Sequence, residues 1–361
     1  MGESLKARLE RKNMPESELY VKQEGQELMP KLPEMVQALL EPKAYPECPQ
    51  RIELVQTQMS FVFLTDNYVY KVKKPVNLGY LDYTTLEKRQ FYCQREVELN
   101  RRLCPDVYLS VVPITQDKGN FLIEVQGEAI EYAVKMRRLS QEAMMDVLLT
   151  NNQVSSEMVT NVAQKLVGFH HRAETNATIS TFGNLDTIAQ NTEENFTQTK
   201  KYIGNTISRD SYQRIKDYTD SFTTKNAPLF QKRLVDGRIR DCHGDLHAAH
   251  ICFTDDICIY DCIEFNDRFR YCDVASEVAF LAMDLDHYRR ADLSHSFVDA
   301  YVAQSQDNEL LELLNFYKCY RAYVRGKVGC FSLDDPYVSE EEKATVLATT
   351  KSYFELAESY I

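Results

Sequence analysis

Apolar and polar positions change their spacing twice along this chain, and the changes mark out its architecture. From about residue 52 to 73 the pattern is that of strands: Val62, Leu64, Val69 and Val72 are apolar, and Thr65-Asp66-Asn67 interrupts them as a turn. Thr84 and Glu87 stand at capping-box spacing beside Leu86, Phe91, Val97 and Leu103, which predicts a long helix. Asp106 to Thr115, Asn120 to Gln126 and Ala129 to Leu139 read as further strands, the first two joined at Asp117-Lys118-Gly119. The expected product is a small lobe of five strands and one helix over 46–138. After Ser140 the spacing is helical almost throughout, to a last helix begun by Ser339 with Glu342, so a larger helical lobe is expected over 139–361. Residues 1–45 form a charged extension, expected to be partly mobile and helical around an apolar patch at Leu28 to Leu40.

Three short apolar runs break the helical half, around Ile239, Ile251 to Phe253 and Ile257 to Tyr260. They are too short for helices and rich in β-branched and aromatic residues, which predicts short buried strands with a tight turn at Asp255-Asp256. Between and after them lie His243, Gly244, Asp245, His247, His250, Asp261 and Glu264. The hairpin would return Asp245 and His250 to the side of Asp261, so that two carboxylates and a nitrogen ligand converge as a metal-phosphate site requires. In the first lobe, alternation along Val69 to Lys73 puts Lys71 and Lys73 on one strand face. Taken alone, such a lysine group is most often solvated surface, and an isolated Gly-Asp is most often a turn.

At His243-Gly244-Asp245-Leu246-His247 and at Asp261 the chain resembles the aminoglycoside phosphotransferase-like branch of the protein-kinase-like superfamily. His250 stands where that family has Asn. The resemblance runs from about residue 45 to 330 and includes Tyr70-Lys71-Val72-Lys73-Lys74, Leu81-Asp82-Tyr83-Thr84-Thr85 and Asp261-Cys262-Ile263-Glu264-Phe265-Asn266-Asp267-Arg268. It points to an uncharacterised bacterial subgroup without the C-terminal P-loop domain of some relatives. What it implies is a bilobal kinase-like α+β fold, with a small N-lobe of β-sheet plus helix and a mainly helical C-lobe. It further implies transfer of the ATP γ-phosphoryl group to a hydroxyl of an aminoglycoside-, sugar- or amino-alcohol-like small molecule.

The same resemblance supplies roles. Asp245 is the catalytic carboxylate that orients the attacking hydroxyl, and Lys71 paired with Glu96 binds nucleotide phosphates. Ser60 and nearby amides would replace the Gly-rich loop, because Gln56 to Asp66 holds no glycine, and the backbone at Met136 to Arg138 would meet the base. Asp261 and His250 are the metal residues, for Mg2+ or, given the imidazole, Mn2+. His243, His247 and Asp273 support the loop; Glu264 and Asp284 are candidates to face the substrate. Glu98 competes with Glu96 but lies on another helix face.

Composition narrows the classes. With 361 residues the chain can hold two lobes, and no apolar run reaches membrane-span length. Met1 to Leu19 is charged throughout, so no signal peptide is read and a cytoplasmic location is expected. The net charge of -12 argues against a nucleic-acid-wrapping surface and favours solubility or cationic partners, a cationic acceptor among them. The ten cysteines are scattered in apolar stretches, which suggests buried reduced thiols. Two other classes fit parts of the pattern. Gly244-Asp245-Leu246-His247 also resembles the metal-binding segment of calcineurin-like phosphoesterases, whose earlier Asp-x-His and later Gly-Asn-His are absent. A catalytically silent kinase-like module binding nucleotide or protein would accommodate His250 and the glycine-free loop.

Overall fold

The computed structural model describes residues 32–335 and 338–361. Most of the N-terminal extension, including Leu28, lies outside the described residues; within its apolar patch a short helix α1 (Glu34–Ala38) buries Val36.

Six strands form one antiparallel sheet in the order β1-β2-β3-β6-β4-β5, one strand more than the pattern predicts. They are β1 (Glu53–Gln56), β2 (Ser60–Leu64), β3 (Tyr68–Lys73), β4 (Tyr108–Asp117), β5 (Asn120–Ile123) and β6 (Ala129–Arg137). The extra strand arises because the region before the Thr65 turn divides at Thr57, whose hydroxyl accepts from the amides of Met59 and Ser60 and closes a tight turn. In the register, Lys71 faces Val62 on β2 and Val134 on β6, at the centre of the sheet.

Helix α2 (Leu86–Asn100) crosses beside the sheet. Its cap is Thr85, which accepts from the Lys88 amide, one residue later than the predicted Thr84. Thr84 instead donates to Asp82, 2.6 Å away. Arg89, Cys93, Glu96, Val97 and Asn100 form its buried stripe at helical spacing. Three polar members of the stripe fix its seat. Arg89 Nε bonds the Glu131 carboxylate on β6 at 2.8–2.9 Å. Asn100 Oδ1 accepts from the Cys262 amide at 2.8 Å, and Glu96 is the third.

Beyond Arg137 the chain is mainly helical. It runs through α3 (Met145–Thr150), α4 (Ser156–Arg172), α5 (Ala177–Ser180), α6 (Leu185–Thr199), α7 (Arg209–Lys225) and α8 (Ala227–Val235). Short strands follow: β7 (Ile239–Asp241) pairs with β10 (Tyr271–Asp273), and β8 (Ile251–Phe253) with β9 (Ile257–Ile259). The predicted hairpin at Asp255-Asp256 is thus present. Helices α9 (Asp267–Arg270), α10 (Val274–His287), α11 (Ala291–Ser305), α12 (Leu310–Leu333) and α13 (Glu340–Glu358) complete the chain. The predicted capping box of Ser339 and Glu342 starts α13.

Helix α10 is buried on all sides over Val274–Leu285 and forms the axis of this half. Around it pack Leu166 and Phe169 of α4, Phe297 and Tyr301 of α11, and Leu313 and Phe316 of α12. Each such side chain contributes about 1.5–3 kcal/mol by leaving water. A helix so enclosed can carry Glu277 and Asp284 only if both are partnered, and both hold the site loops.

The cysteine expectation is corrected at one pair. Cys104, just after α2, is disulfide-bonded to Cys258 on β9, with Cα atoms 4.8 Å apart. The remaining cysteines are free.

Candidate active site

The site lies where α2 and β3 meet the two short hairpin regions. Lys71 Nζ stands 2.9 Å from Glu96 Oε1 and 2.6 Å from Asp261 Oδ1. Burial alone would lower the Lys71 pKa, but Asp261, Glu96 and Glu264 outweigh it and raise it well above the usual lysine range. Lys73 is fully buried. Its ammonium holds Glu96 Oε2 at 2.6 Å and also contacts Glu264, which accepts from Tyr83 at 2.6 Å. Glu96 thus meets Lys71, as the resemblance implies, but its carboxylate bridges both ammonium groups. Glu98 pairs with Arg95 on the exposed face.

Asp245 sits on the loop after β7. Gly244 precedes it at φ +89°, where a Cβ would meet Phe269 O at 3.0 Å and Arg270 Cα at 3.2 Å, so glycine is required. Asp245 Oδ2 is 3.6 Å from His247 Nε2 and 3.6 Å from His250 Nδ1. Burial would raise its pKa, yet the neighbouring imidazoles and Arg325 hold it well below the ordinary carboxylate range. Its backbone oxygen accepts from His250 Nδ1 at 2.9 Å. His250 Nε2 stands 3.5 Å from Asp261 Oδ2. Asp261 itself takes φ +61°, a conformation an aspartate tolerates better than most residues, and its amide donates to Tyr108 Oη at 3.1 Å. Its carboxylate is 40% exposed and is held low chiefly by Lys71 against the opposing effect of burial.

His243 and His247 border the loop. Burial forces His243 down to about 4, so the ring is neutral; its Nε2 donates to Tyr260 O at 2.9 Å. His247 is also lowered by burial, first of all, and by His250 and Arg325; its ring lies 3.9 Å from that of His250. The predicted brace Asp273 does not reach the loop. Both its oxygens are 2.6 Å from Arg233, and it caps α10 through the Ala275 amide. Glu277 holds the loop instead: Oε1 accepts from the His243 and Gly244 amides at 2.7 Å, and Oε2 contacts His170 Nε2 at 2.6 Å. Burial opposes its charge, but these bonds hold it down to about 2. A glutamate on an otherwise apolar helical run was the signal for it in the sequence.

Other expectations shift as well. Glu264 and Asp284, read as facing substrate, are buried and engaged. Glu264 is taken by Lys73 and Tyr83, and Asp284 by the Ala248 amide at 2.8 Å and Tyr353 at 3.1 Å. Ser60 is buried, and its amide and that of Met59 are occupied by Thr57. At the end of β6, Met136 is paired within the sheet with Val69 and Tyr108, and the Arg137 and Arg138 amides donate to Val107 O and Asn67 O, each at 2.9 Å. The backbone donors of this segment are thus engaged within the protein.

The order of parts, with a lysine strand, a glutamate helix, a His-Gly-Asp loop and an aspartate after a short hairpin, on a sheet lobe joined to a helical lobe, is that of the bilobal protein-kinase-like fold. The aminoglycoside phosphotransferase-like resemblance rests on these same residues. No family model matches the chain. It is 33% identical over 303 residues to uncharacterised proteins of Mycobacterium tuberculosis and Mycobacterium bovis, covering 83% of this chain and 59% of each relative. The chain therefore spans less than two thirds of the length of these curated relatives. Among solved structures it is similar to an ethanolamine kinase of Plasmodium vivax, at 10% identity and TM-score 0.46, over 86% of this chain and 83% of that one. It is also similar to a choline/ethanolamine kinase family protein of Mesorhizobium loti, at 12% and 0.46, over 91% and 98%. An aminoglycoside phosphotransferase of Alicyclobacillus acidocaldarius is similar at 12% and 0.45, over 93% and 96%. Among the described residues no helix is long and apolar enough to cross a membrane.

Proposed function

We propose that this chain is an ATP-dependent phosphotransferase acting on a hydroxyl of a small molecule, with lobes 46–138 and 139–361 closing around the nucleotide. The observation that carries the reading is the Lys71 ammonium held between Glu96 and Asp261, whose other oxygen lies 3.5 Å from His250, the neighbour of Asp245. A lysine so fixed presents one positive charge where nucleotide phosphates would lie, and Glu96 keeps it extended. Asp245, ionised at any working pH, orients the acceptor hydroxyl and receives its proton as attack proceeds; positioning matters more here than basicity.

The donor set fits a divalent cation. Asp261 is half-exposed, and His250 donates through Nδ1 to a backbone carbonyl, as metal-binding histidines commonly do, leaving Nε2 free to ligate. When bound, the ion would offset the charge of the transferring phosphates. An imidazole suits Mn2+ better than Mg2+. Glu277 and Asp284 fix the loop amides, so Asp245 does not reorganise during the reaction.

The test is a thermal-shift panel of ATP, GTP and ADP with Mg2+ and Mn2+, followed by measurement of γ-phosphate loss for wild type and Asp245→Asn. Nucleotide with metal should stabilise both proteins, and turnover should fall in the variant by on the order of 10²–10⁴. Binding without turnover under every condition would favour the silent kinase-like module. Phosphodiester cleavage without nucleotide would favour the phosphoesterase.

A further inference from the structure

Resting on the phosphotransferase reading, we infer that the acceptor carries an oxyanion, a carboxylate or phosphate close to the hydroxyl, received by Arg325. This reverses the cationic acceptor that the net charge of -12 suggests.

Two faces of helix α12 carry cations, one of them turned toward the site loop. On one, Arg321 Nη1 donates to Gly244 O at 3.1 Å and Arg325 Nη1 stands 3.4 Å from His247 Nε2. On the other, Lys327 Nζ donates to Asn195 Oδ1 of α6 at 2.7 Å. Among the described residues none of these three cations has a carboxylate within 4.0 Å, whereas buried Arg233, Arg270 and Lys73 are each paired with one. Arg325 meets the neutral His247 imidazole and Tyr353, whose ring is 5.5 Å away, and the Asp284 and Asp245 carboxylates act on it only from beyond ion-pair distance. A guanidinium drawn out of water with no carboxylate in direct contact is costly.

Two buried donors lie at these two faces, one on each. Arg325 Nε and Asn195 Nδ2 are buried without a hydrogen-bond partner among the described residues. Unsatisfied donors beside unpaired cations call for an oxygen-rich anion, not for an ammonium. The location is specific: the His247 nitrogen beside Arg325 is 3.6 Å from Asp245 Oδ2. One imidazole therefore separates the anion site from the carboxylate that orients the hydroxyl. The Lys327 face continues to Phe331, which with Lys200 and Lys201 lines an open surface pocket of about 720 Å³ that includes none of Asp245, His247 and Arg325. A small alcohol bearing an acid group suits such surroundings; a polycationic one does not.

Inorganic sulfate is the probe. The protein is first saturated with a non-hydrolysable ATP analogue and Mg2+, so that the phosphate positions are filled, and sulfate is titrated calorimetrically at constant ionic strength. Wild type should bind sulfate, Arg325→Gln should bind it at least tenfold more weakly, and Arg325→Lys should retain part of the affinity. Glycerate and glycerol 3-phosphate should displace sulfate, and glycerol and ethanolamine should not. Circular dichroism checks that each variant is folded; if Arg325→Gln is not, the displacement series on wild type decides. Equal sulfate affinity in wild type and Arg325→Gln, no sulfate binding by wild type, or displacement by ethanolamine overturns the inference. Failure of the analogue to bind would count against the phosphotransferase reading itself, while sulfate titrated into the free protein still judges the anion site.

Discussion

Lys71 and Asp261 lie 190 positions apart in sequence, yet the ammonium nitrogen and a carboxylate oxygen meet at 2.6 Å. This contact joins the strand that offers the phosphate-binding charge to the hairpin that offers the metal carboxylate. Glu96 stands behind both Lys71 and Lys73, so the two lysines share one anion but have different surroundings. Lys71 keeps some exposure and meets Asp261; Lys73 is enclosed by Glu96, Glu264 and Tyr83.

The two lysines should therefore separate by assay. Lys73→Ala leaves Glu96 and Glu264 buried without their shared cation and should destabilise the fold by about 3–5 kcal/mol in urea unfolding. Lys71→Ala should cost much less stability and weaken ATP binding instead. A Lys73→Ala protein as stable as wild type would refute the structural role.

His250 governs the choice of metal in this reading. His250→Asn should shift binding from Mn2+ toward Mg2+, and calorimetry of each ion with the non-hydrolysable analogue gives the ratio directly. An unchanged ratio and unchanged affinities would remove His250 from the metal site and leave it as a support of the Asp245 backbone.

Acid should loosen the catalytic loop through Glu277. Its carboxyl is lowered from 4.5 to about 2 in the fold, so its contribution is complete above about 4.5 and is lost as pH falls toward 2. The loss should reach on the order of 3 kcal/mol. Unfolding free energies at roughly pH 5.5, above that window, and roughly pH 3, inside it, would differ less in Glu277→Gln than in wild type, although that variant starts less stable. Equal acid sensitivity of the two would assign the effect to other carboxylates.

Thiol counting checks the Cys104–Cys258 bridge. Protein purified without reductant and then unfolded should titrate with eight thiols of the ten cysteines, and Cys258→Ser should lose about 2–4 kcal/mol of stability. Ten reactive thiols would restore the reduced reading drawn from the sequence.

What the sequence determined by itself was local. Apolar period separated sheet from helix, because a strand and a helix repeat every 2 and about 3.6 residues whatever lies around them. The short runs around Asp255-Asp256 declared a hairpin, and Gly244 declared a backbone position that no side chain could take. His-Gly-Asp and Asp261 were legible because their spacing within one segment survives without knowledge of the fold. Only the tertiary structure decided which carboxylate meets which donor. Asp273 and Glu277 both lie near the start of one helix, and spacing alone did not tell that Arg233 claims the first while the loop amides claim the second. Glu264 and Asp284 looked available for substrate until packing enclosed them with Lys73 and with Ala248. The net charge pointed to a cationic acceptor, but charge summed over a chain says nothing about where it lies. The unpaired guanidinium of Arg325 beside His247 arises from the packing of α12 against the loop, a long-range arrangement that no local pattern encodes.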